Sequence, residues 1–257
     1  MIMMQNVKDK QKKNPDQLSI SLDNGKKESF ADGENIGNVK KEVETGATRL
    51  KSDVELKNLQ EKITEKEKKK IKSRIDKMGR AEFKEMIETP VEKLSEYEVK
   101  FAMLRRLNEM RAEWNKENAG GKARLKPLKY DKKLEKFAQD FVKEKSGTPV
   151  NRETEHYNLS GEPTPLRLKN AGLMEQINHH EENHPRIKGT IADWGYGENI
   201  VAERNGNLGA VSIEEMMQGF KDSTEHAVQL FNPYVNSIGI GYFGGSDRLV
   251  QVFADFK

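Results

Sequence analysis

The sequence predicts an α+β layered domain over residues 101–257, preceded by a charged helical segment and a polar tail. Three observations predict it. Large apolar residues recur at helical spacing after residue 100 and again after Ser212, and an Ile-Gly-Ile-Gly-Tyr alternation turns into a Val- and Phe-rich run at the C-terminus. Before residue 49 neither pattern is present.

Through residue 48 the chain is Asn, Asp, Lys, Glu and Gly with scattered apolar residues (Leu18, Ile20, Leu22, Phe30, Ile36). These are too few to offset the entropy of ordering, which predicts a disordered tail over 1–48. From Asp53 to Met78 there is no Gly or Pro, and Leu56, Leu59, Ile63, Ile71, Ile75 and Met78 step mostly by threes and fours. That is one long charged helix, ended by Gly79. A shorter helix follows and stops at Thr89-Pro90, because the residue before proline is pushed out of the α region. Residues 49–100 thus read as a charged helical spacer that allows at most a short coiled coil. Its Lys66 to Lys77 stretch is diluted by Glu61, Glu65, Glu67 and Asp76 and carries no aromatic for base stacking, so it reads as a solvated face and nucleic acid is not an expected partner.

Within the folded part, Phe101, Leu104, Leu107, Met110 and Trp114 share one face of a helix that ends before Gly120-Gly121. Leu134, Phe137, Ala138, Phe141 and Val142 repeat at i, i+3, i+4, i+7 and i+8, which makes a second core-facing helix. Ser212-Ile213-Glu214-Glu215 has the spacing of a capping box, so another helix starts there with Ile213, Met216, Met217 and Phe220 as core. Ile238, Ile240 and Tyr242 alternate with Gly239 and Gly241, then Gly244-Gly245-Ser246-Asp247 turns the chain into Leu249 to Phe256. This reads as a closing β-hairpin whose glycines admit a close neighbour on one face.

Composition narrows the chemistry. Among 257 residues, 45 Lys+Arg stand against 42 Asp+Glu, so the net charge of +3 comes from charges that nearly cancel and gives no single-sign field toward nucleic acid or anionic lipid. With no Cys, a disulfide framework, thiolate metal ligands and a thiol nucleophile are excluded, which leaves His and carboxylates as metal donors. No apolar run approaches the roughly 20 residues that cross a bilayer. The start, Met1-Ile2-Met3-Met4 followed by Lys8, Lys10, Lys12 and Lys13, lacks the apolar stretch of a secretory signal, so either the protein stays inside the cell or this start is incomplete.

Two of the five histidines stand in structured contexts. His156 lies in Glu155-His156-Tyr157-Asn158, ahead of a Gly161-Glu162-Pro163-Thr164-Pro165 turn into a short helix. His226 lies in Ser223-Thr224-Glu225-His226, at the end of the capped helix. Between them, Gly197-Glu198-Asn199-Ile200 sets a carboxylate and an amide at the opening of a strand expected over Ile200 to Ala202. His179-His180-Glu181-Glu182-Asn183-His184 has two His at i and i+4, but Pro185 follows and no apolar helix surrounds it. It reads as an exposed polar loop in an insertion from Glu175 to Trp194 that can act as a lid. No Gly-rich phosphate loop, G-x-S-x-G elbow or paired catalytic carboxylate occurs, and Ser223 beside His226 has no evident orienting acid.

These segments resemble the CAP superfamily (cysteine-rich secretory proteins, antigen 5 and pathogenesis-related 1 proteins) in its bacterial SCP-like form. Leu107-Asn108-Glu109-x-Arg111, then Leu125-x-Pro127-Leu128-x-Tyr130-Asp131-x-x-Leu134 and Ala138, is similar to the family's opening helix and its approach to the second. His156 with Gly161, Thr164-Pro165, Arg167-Leu168 and Ala171-Gly172 resembles its first His segment, and Gly197-Glu198-Asn199-Ile200 its GEN motif. Ser223-x-x-His226, Asn232-Pro233, Ile238 to Tyr242 and Val250 to Ala254 resemble its ending.

The resemblance implies a three-layer α-β-α sandwich with a surface cleft in which two His and acidic residues converge, and in several members that cleft binds a divalent ion, often zinc. On that basis His156, Glu198 and His226 form the expected cleft, with His156 and His226 as metal ligands. The second Glu of many eukaryotic members has no counterpart, since Ser223 occupies its position and Phe220 that of the Trp before it. Glu214 and Glu215 fall in the first helical turn, where capping and the helix dipole account for them. Two neutral imidazoles can hold an exchangeable Zn2+ or another divalent cation, with Glu198 as third ligand or as base for a bound water. The same three residues serve equally as a hydrogen-bonded cluster that orders the cleft without an ion. The expected function is a binding module for a small-molecule, lipid or protein ligand, rather than an enzyme. The alternatives are a metal-dependent hydrolase of peptide or cell-envelope material with Glu198 as base, and a docking role for the charged helices. The family resemblance suggests an extracellular or cell-envelope setting.

Overall fold

A computed structural model describes residues 64–119, 124–151, 153–183, 191–203 and 208–257. The tail expected over 1–48, the first part of the long helix and His184 lie outside the described residues. Helix α1 covers 64–77 and stops before Gly79, as its periodicity predicts. α2 (Arg80–Glu88) ends at Thr89-Pro90. α3 (Glu96–Glu117) is opened by a capping box in which the Ser95 hydroxyl accepts from the Glu98 backbone while the Glu98 carboxylate accepts from the Ser95 backbone N–H at 2.7 Å. β1 (Lys129–Tyr130), α4 (Lys132–Lys145) and α5 (Thr164–Asn170) follow. Next come β2 (Glu181–Asn183), β3 (Ile191–Asp193), β4 (Tyr196–Ala202), α6 (Ile213–Asp222), α7 (Thr224–Leu230), β5 (Ser237–Gly241) and β6 (Arg248–Ala254).

The sheet runs in the order β1-β5-β6-β4. β1 is parallel to β5, the predicted β5–β6 hairpin is antiparallel, and β4 is the antiparallel outer strand with Glu198 opposite Val252 and Asn199 opposite Gln251. Side chains alternate across it and divide the core in two. Ile200, Val250, Val252 and Ala254 pack with α4, α5 and Ile177 on one face. Leu249, Phe253, Ile238 and Ile240 pack with α3 and α6 on the other, making the three layers of an α-β-α sandwich.

Gly239 and Gly241 explain how α4 can lie so close. A Cβ at Gly239 would stand 2.1 Å from the backbone of Leu134 and Glu135, and one at Gly241 would stand 2.4 Å from that of Ala138. The helices at 64–77 and 80–88, read from sequence as part of a spacer, contribute Ile75, Phe83, Met86 and Ile87 to the same core as α3. Arg105 on α3 ends α1 by donating to the Met78 carbonyl at 3.0 Å and the Ile75 carbonyl at 2.5 Å. Among the described residues no helix is long and apolar enough to cross a membrane.

Candidate functional site

Three elements build the surroundings of Glu198. β4 supplies the residue on the α4 and α5 side of the sheet, since Gly197 and Asn199, its neighbours on the strand, face α7 on the other side. A Cβ at Gly197 would meet the Gln229 side chain, and the Asn199 amide donates to the His226 backbone carbonyl at 3.3 Å. α5 supplies Thr164 and Arg167, one turn apart on the same face. The segment before α5 supplies His156, and it is anchored on both sides. Glu155 pairs with the buried guanidinium of Arg248, which also donates to the carbonyls of Lys145 at 2.7 Å and Thr148 at 2.9 Å. Asn158 and Glu162 close a turn, with Asn158 N–H donating to the Glu162 carbonyl at 3.1 Å and Gly161 in the left-handed region at φ 78°.

The Glu198 side chain is only 2% exposed, while that of His156 is 45% exposed. Nδ1 of His156 lies 3.0 Å from Glu198 Oε1, and Thr164 Oγ1 donates to the same oxygen at 2.9 Å. Arg167 brings its guanidinium to 3.2 Å from Oε2 and 3.4 Å from Oε1, and stacks over the Phe141 ring at 3.6 Å. Oε2 faces that guanidinium at ion-pair distance without a well-aligned hydrogen bond. The charge of the buried carboxylate is therefore met by Arg167, as a buried acid requires. A carboxylate only accepts, so Nδ1 of the unprotonated ring carries the hydrogen and Nε2 is left as an acceptor on the more exposed side chain.

Of the expected cleft residues, His156 and Glu198 are brought into direct contact. His226 sits on α7, over the opposite face of β4, and packs its ring edge-on against Phe220 at 5.3 Å. Glu214 is engaged by Arg106 of α3 through two bonds of 2.6 and 2.9 Å, and Glu215 closes the capping box on Ser212. Glu215 is held below the usual carboxylate range by the Ser212 backbone N–H and then by its hydroxyl. Both acids are thus already engaged, Glu214 across to α3 and Glu215 at the start of α6. Among the described residues no group of three or more His, Asp or Glu side chains is arranged to hold a metal ion.

Sequence reasoning passed over Thr164 and Arg167 as site residues. Their three-residue spacing beside His156 was visible, but the partner that gives them meaning is more than thirty residues away on β4. It also left His179 and His180 in an exposed loop. Both do lie in a loop, His179 exposed and His180 half-buried, but His179 pairs with Asp193, while His180 pairs with Asp255 at 2.7 Å and stacks on Tyr234 at 4.5 Å, beside the antiparallel β2–β3 pairing.

A model of the family described as "CAP: Cysteine-rich secretory protein family" matches residues 104–254. Among solved structures, an outer surface protein of Borrelia burgdorferi is similar at 17% identity and TM-score 0.42, covering 60% of this chain and 90% of its own. An extracellular SCP-domain protein of Bacillus anthracis aligns at 14% identity and TM-score 0.38, with 61% of this chain and 41% of its own covered. A cysteine-rich secretory protein of Staphylococcus aureus aligns at 15% identity and TM-score 0.39, with 61% and 38% covered. A search of curated proteins finds no match. Because the family match takes in more than half of the chain, from the middle of α3 to the end of β6, the chain belongs to the CAP, or cysteine-rich secretory protein, family.

Proposed function

We propose that this chain is a ligand-binding CAP domain in which His156 meets the ligand and Glu198 orients it. The observation that carries this reading is the 3.0 Å contact between a half-exposed imidazole and a carboxylate that is itself buried and charge-balanced by Arg167. Such a carboxylate fixes the tautomer and the ring plane, so in the neutral ring Nε2 is left as the acceptor. Metal-binding imidazoles are commonly held in this way by a carboxylate behind them. The arrangement therefore suits an exchangeable divalent cation such as Zn2+ at Nε2 of His156. Glu198 fits the orienting role better than that of ligand or base, because its oxygens are taken by His156, Thr164 and Arg167. No observation favours the hydrolase alternative.

Isothermal titration of Zn2+ into the full chain and into the His156→Ala/His226→Ala double variant tests the site. The expected result is modest, reversible binding that the double variant loses and that Glu198→Gln weakens by roughly 10- to 100-fold. Equal binding by the wild type and the double variant removes the proposed site.

A further inference from the structure

β4 ends the sheet, and its outer edge is a row of hydrogen-bonding groups that the fold leaves unused. The ladder to β6 is made by the odd-numbered residues of β4, because the flanking bonds in the same register run from the Asp255 N–H to the Gly195 carbonyl at 2.7 Å and from the Glu203 N–H to the Asp247 carbonyl at 3.0 Å. The N–H and C=O groups of Tyr196, Glu198, Ile200 and Ala202 therefore point away from β6. Among the described residues no other backbone group bonds to them. The exposure of Glu198 agrees: its side chain keeps 2% while the whole residue keeps 9%, so most of what water reaches there is main chain.

A free edge is a liability that folds blunt with a lysine, a proline, a bulge or a cover. β4 reads Tyr-Gly-Glu-Asn-Ile-Val-Ala, without lysine or proline, and its register with β6 runs unbroken through seven pairs. Its one charge, Glu198, is turned inward to Arg167. The two faces of the strand are flanked, one by α5 and His156, the other by α7, whose Gln229 side chain stands against Gly197 and whose His226 carbonyl accepts from Asn199 at 3.3 Å. A partner that reaches the edge between them has to be one chain thick, which favours an extended peptide over a second folded domain.

We propose that the outer edge of β4 binds an extended segment of a partner polypeptide as an added strand, through backbone bonds to Tyr196, Glu198, Ile200 and Ala202. Directly opposed residues of paired strands share a face. The peptide residue opposite Glu198 thus turns its side chain to the α5 face, where His156 stands 3.0 Å from the Glu198 carboxylate. The ligand of the His156 site is then a peptide held by main-chain pairing, with one side chain presented to His156. This deepens the reading of that site and rests on it only for the side-chain contact, since the edge needs no metal.

Random dodecapeptides displayed on phage, selected on the intact chain without added metal, supply the probe, and the tightest is synthesised and titrated by calorimetry. It is expected to shift the 1H–15N amide signals of Tyr196, Glu198, Ile200 and Ala202 most. N-methylation of alternate peptide residues is expected to weaken binding by roughly tenfold in one phase and by less than about threefold in the other, because only every second N–H faces β4. Ala202→Pro removes an outward donor and leaves the β6 ladder whole, so it is expected to weaken the peptide by roughly tenfold while Zn2+ binds as in the wild type. His156→Ala is expected to lose Zn2+ but keep the N-methylation pattern, which separates failure of the edge from failure of the imidazole site. A selection that returns no binder, amide shifts away from β4, or affinity indifferent to both N-methylation phases overturns the proposal. So does a dimer in sedimentation that Ala202→Pro dissociates, which would give the edge to a second copy of the chain.

Discussion

Arg111 carries its charge into the interior without an acid to meet it. Its guanidinium donates to the carbonyls of Lys126 at 2.9 Å, Leu230 at 2.7 Å and Asn232 at 3.1 Å, and burial lowers its pKa to about 10. One side chain thereby ties α3 to the loop before β1 and to the end of α7, using a planar fork that Lys cannot reproduce. Arg111→Lys is expected to destabilise the fold by about 2–4 kcal/mol through carbonyls left without donors, measured by urea unfolding; a loss within about 0.5 kcal/mol would contradict the role. Arg167 is a second case, since removing it strands the Glu198 charge. Arg167→Met is expected to cost about 3–5 kcal/mol, and adding Glu198→Gln should recover part of that loss in the same assay. Both arginines were visible as motif residues. What the sequence could not supply was the partner, because Leu230 is more than a hundred residues from Arg111 and Glu198 about thirty from Arg167.

Elements were legible where their chemistry is local. The capping box at Ser212, the α4 stripe and the β5–β6 alternation each announce themselves within a dozen residues, and the structure has all three. β1 was invisible because Lys129-Tyr130 becomes a strand only by pairing in parallel with β5, more than a hundred residues on. The β2–β3 pairing was hidden for another reason: Glu181, Glu182 and Asn183 have no apolar alternation, and the segment is flanked by the His179–Asp193 and His180–Asp255 pairs. Two glycines, one in β5 and one in α6, allow a direct comparison. Gly239→Ala forces a Cβ into the α4 backbone and is expected to destabilise by about 2–3 kcal/mol. Gly219→Ala, in α6 with nothing within 4 Å of its Cβ, is expected to stabilise by up to about 1 kcal/mol. Thermal melts of the two variants that shifted in the same direction would refute the close approach of α4 to the sheet.

For the whole molecule, composition said that charges nearly cancel, and the structure shows where they are put to use. Asp193 is pushed up by burial, but hydrogen bonds from His179 and from the backbone of Gly195 and His180 outweigh that and hold it below its ordinary value. Glu98 is likewise pushed up by burial and brought down further by Ser95 and Arg74. Both acids bind a proton more weakly folded than unfolded. Their contribution is therefore present above the unfolded carboxylate range and lost as pH falls through the lower folded values. The unfolding free energy is expected to drop from about pH 5 to about pH 3, and a flat urea midpoint across that window would show that the pairs add nothing. Nothing in the periodicity of residues 49–100 told what their apolar stripe packs on, since charge surrounds each apolar position. Only the assembled core reveals Ile75 and Phe83 inside it. The central claim is the orientation of one ring, and long-range 1H–15N correlation spectra of the imidazoles in the intact chain read it most directly. With the ring neutral, His156 is expected to show a protonated Nδ1 and a bare Nε2 that becomes mixed in Glu198→Gln; a protonated Nε2 in the wild type would contradict the account.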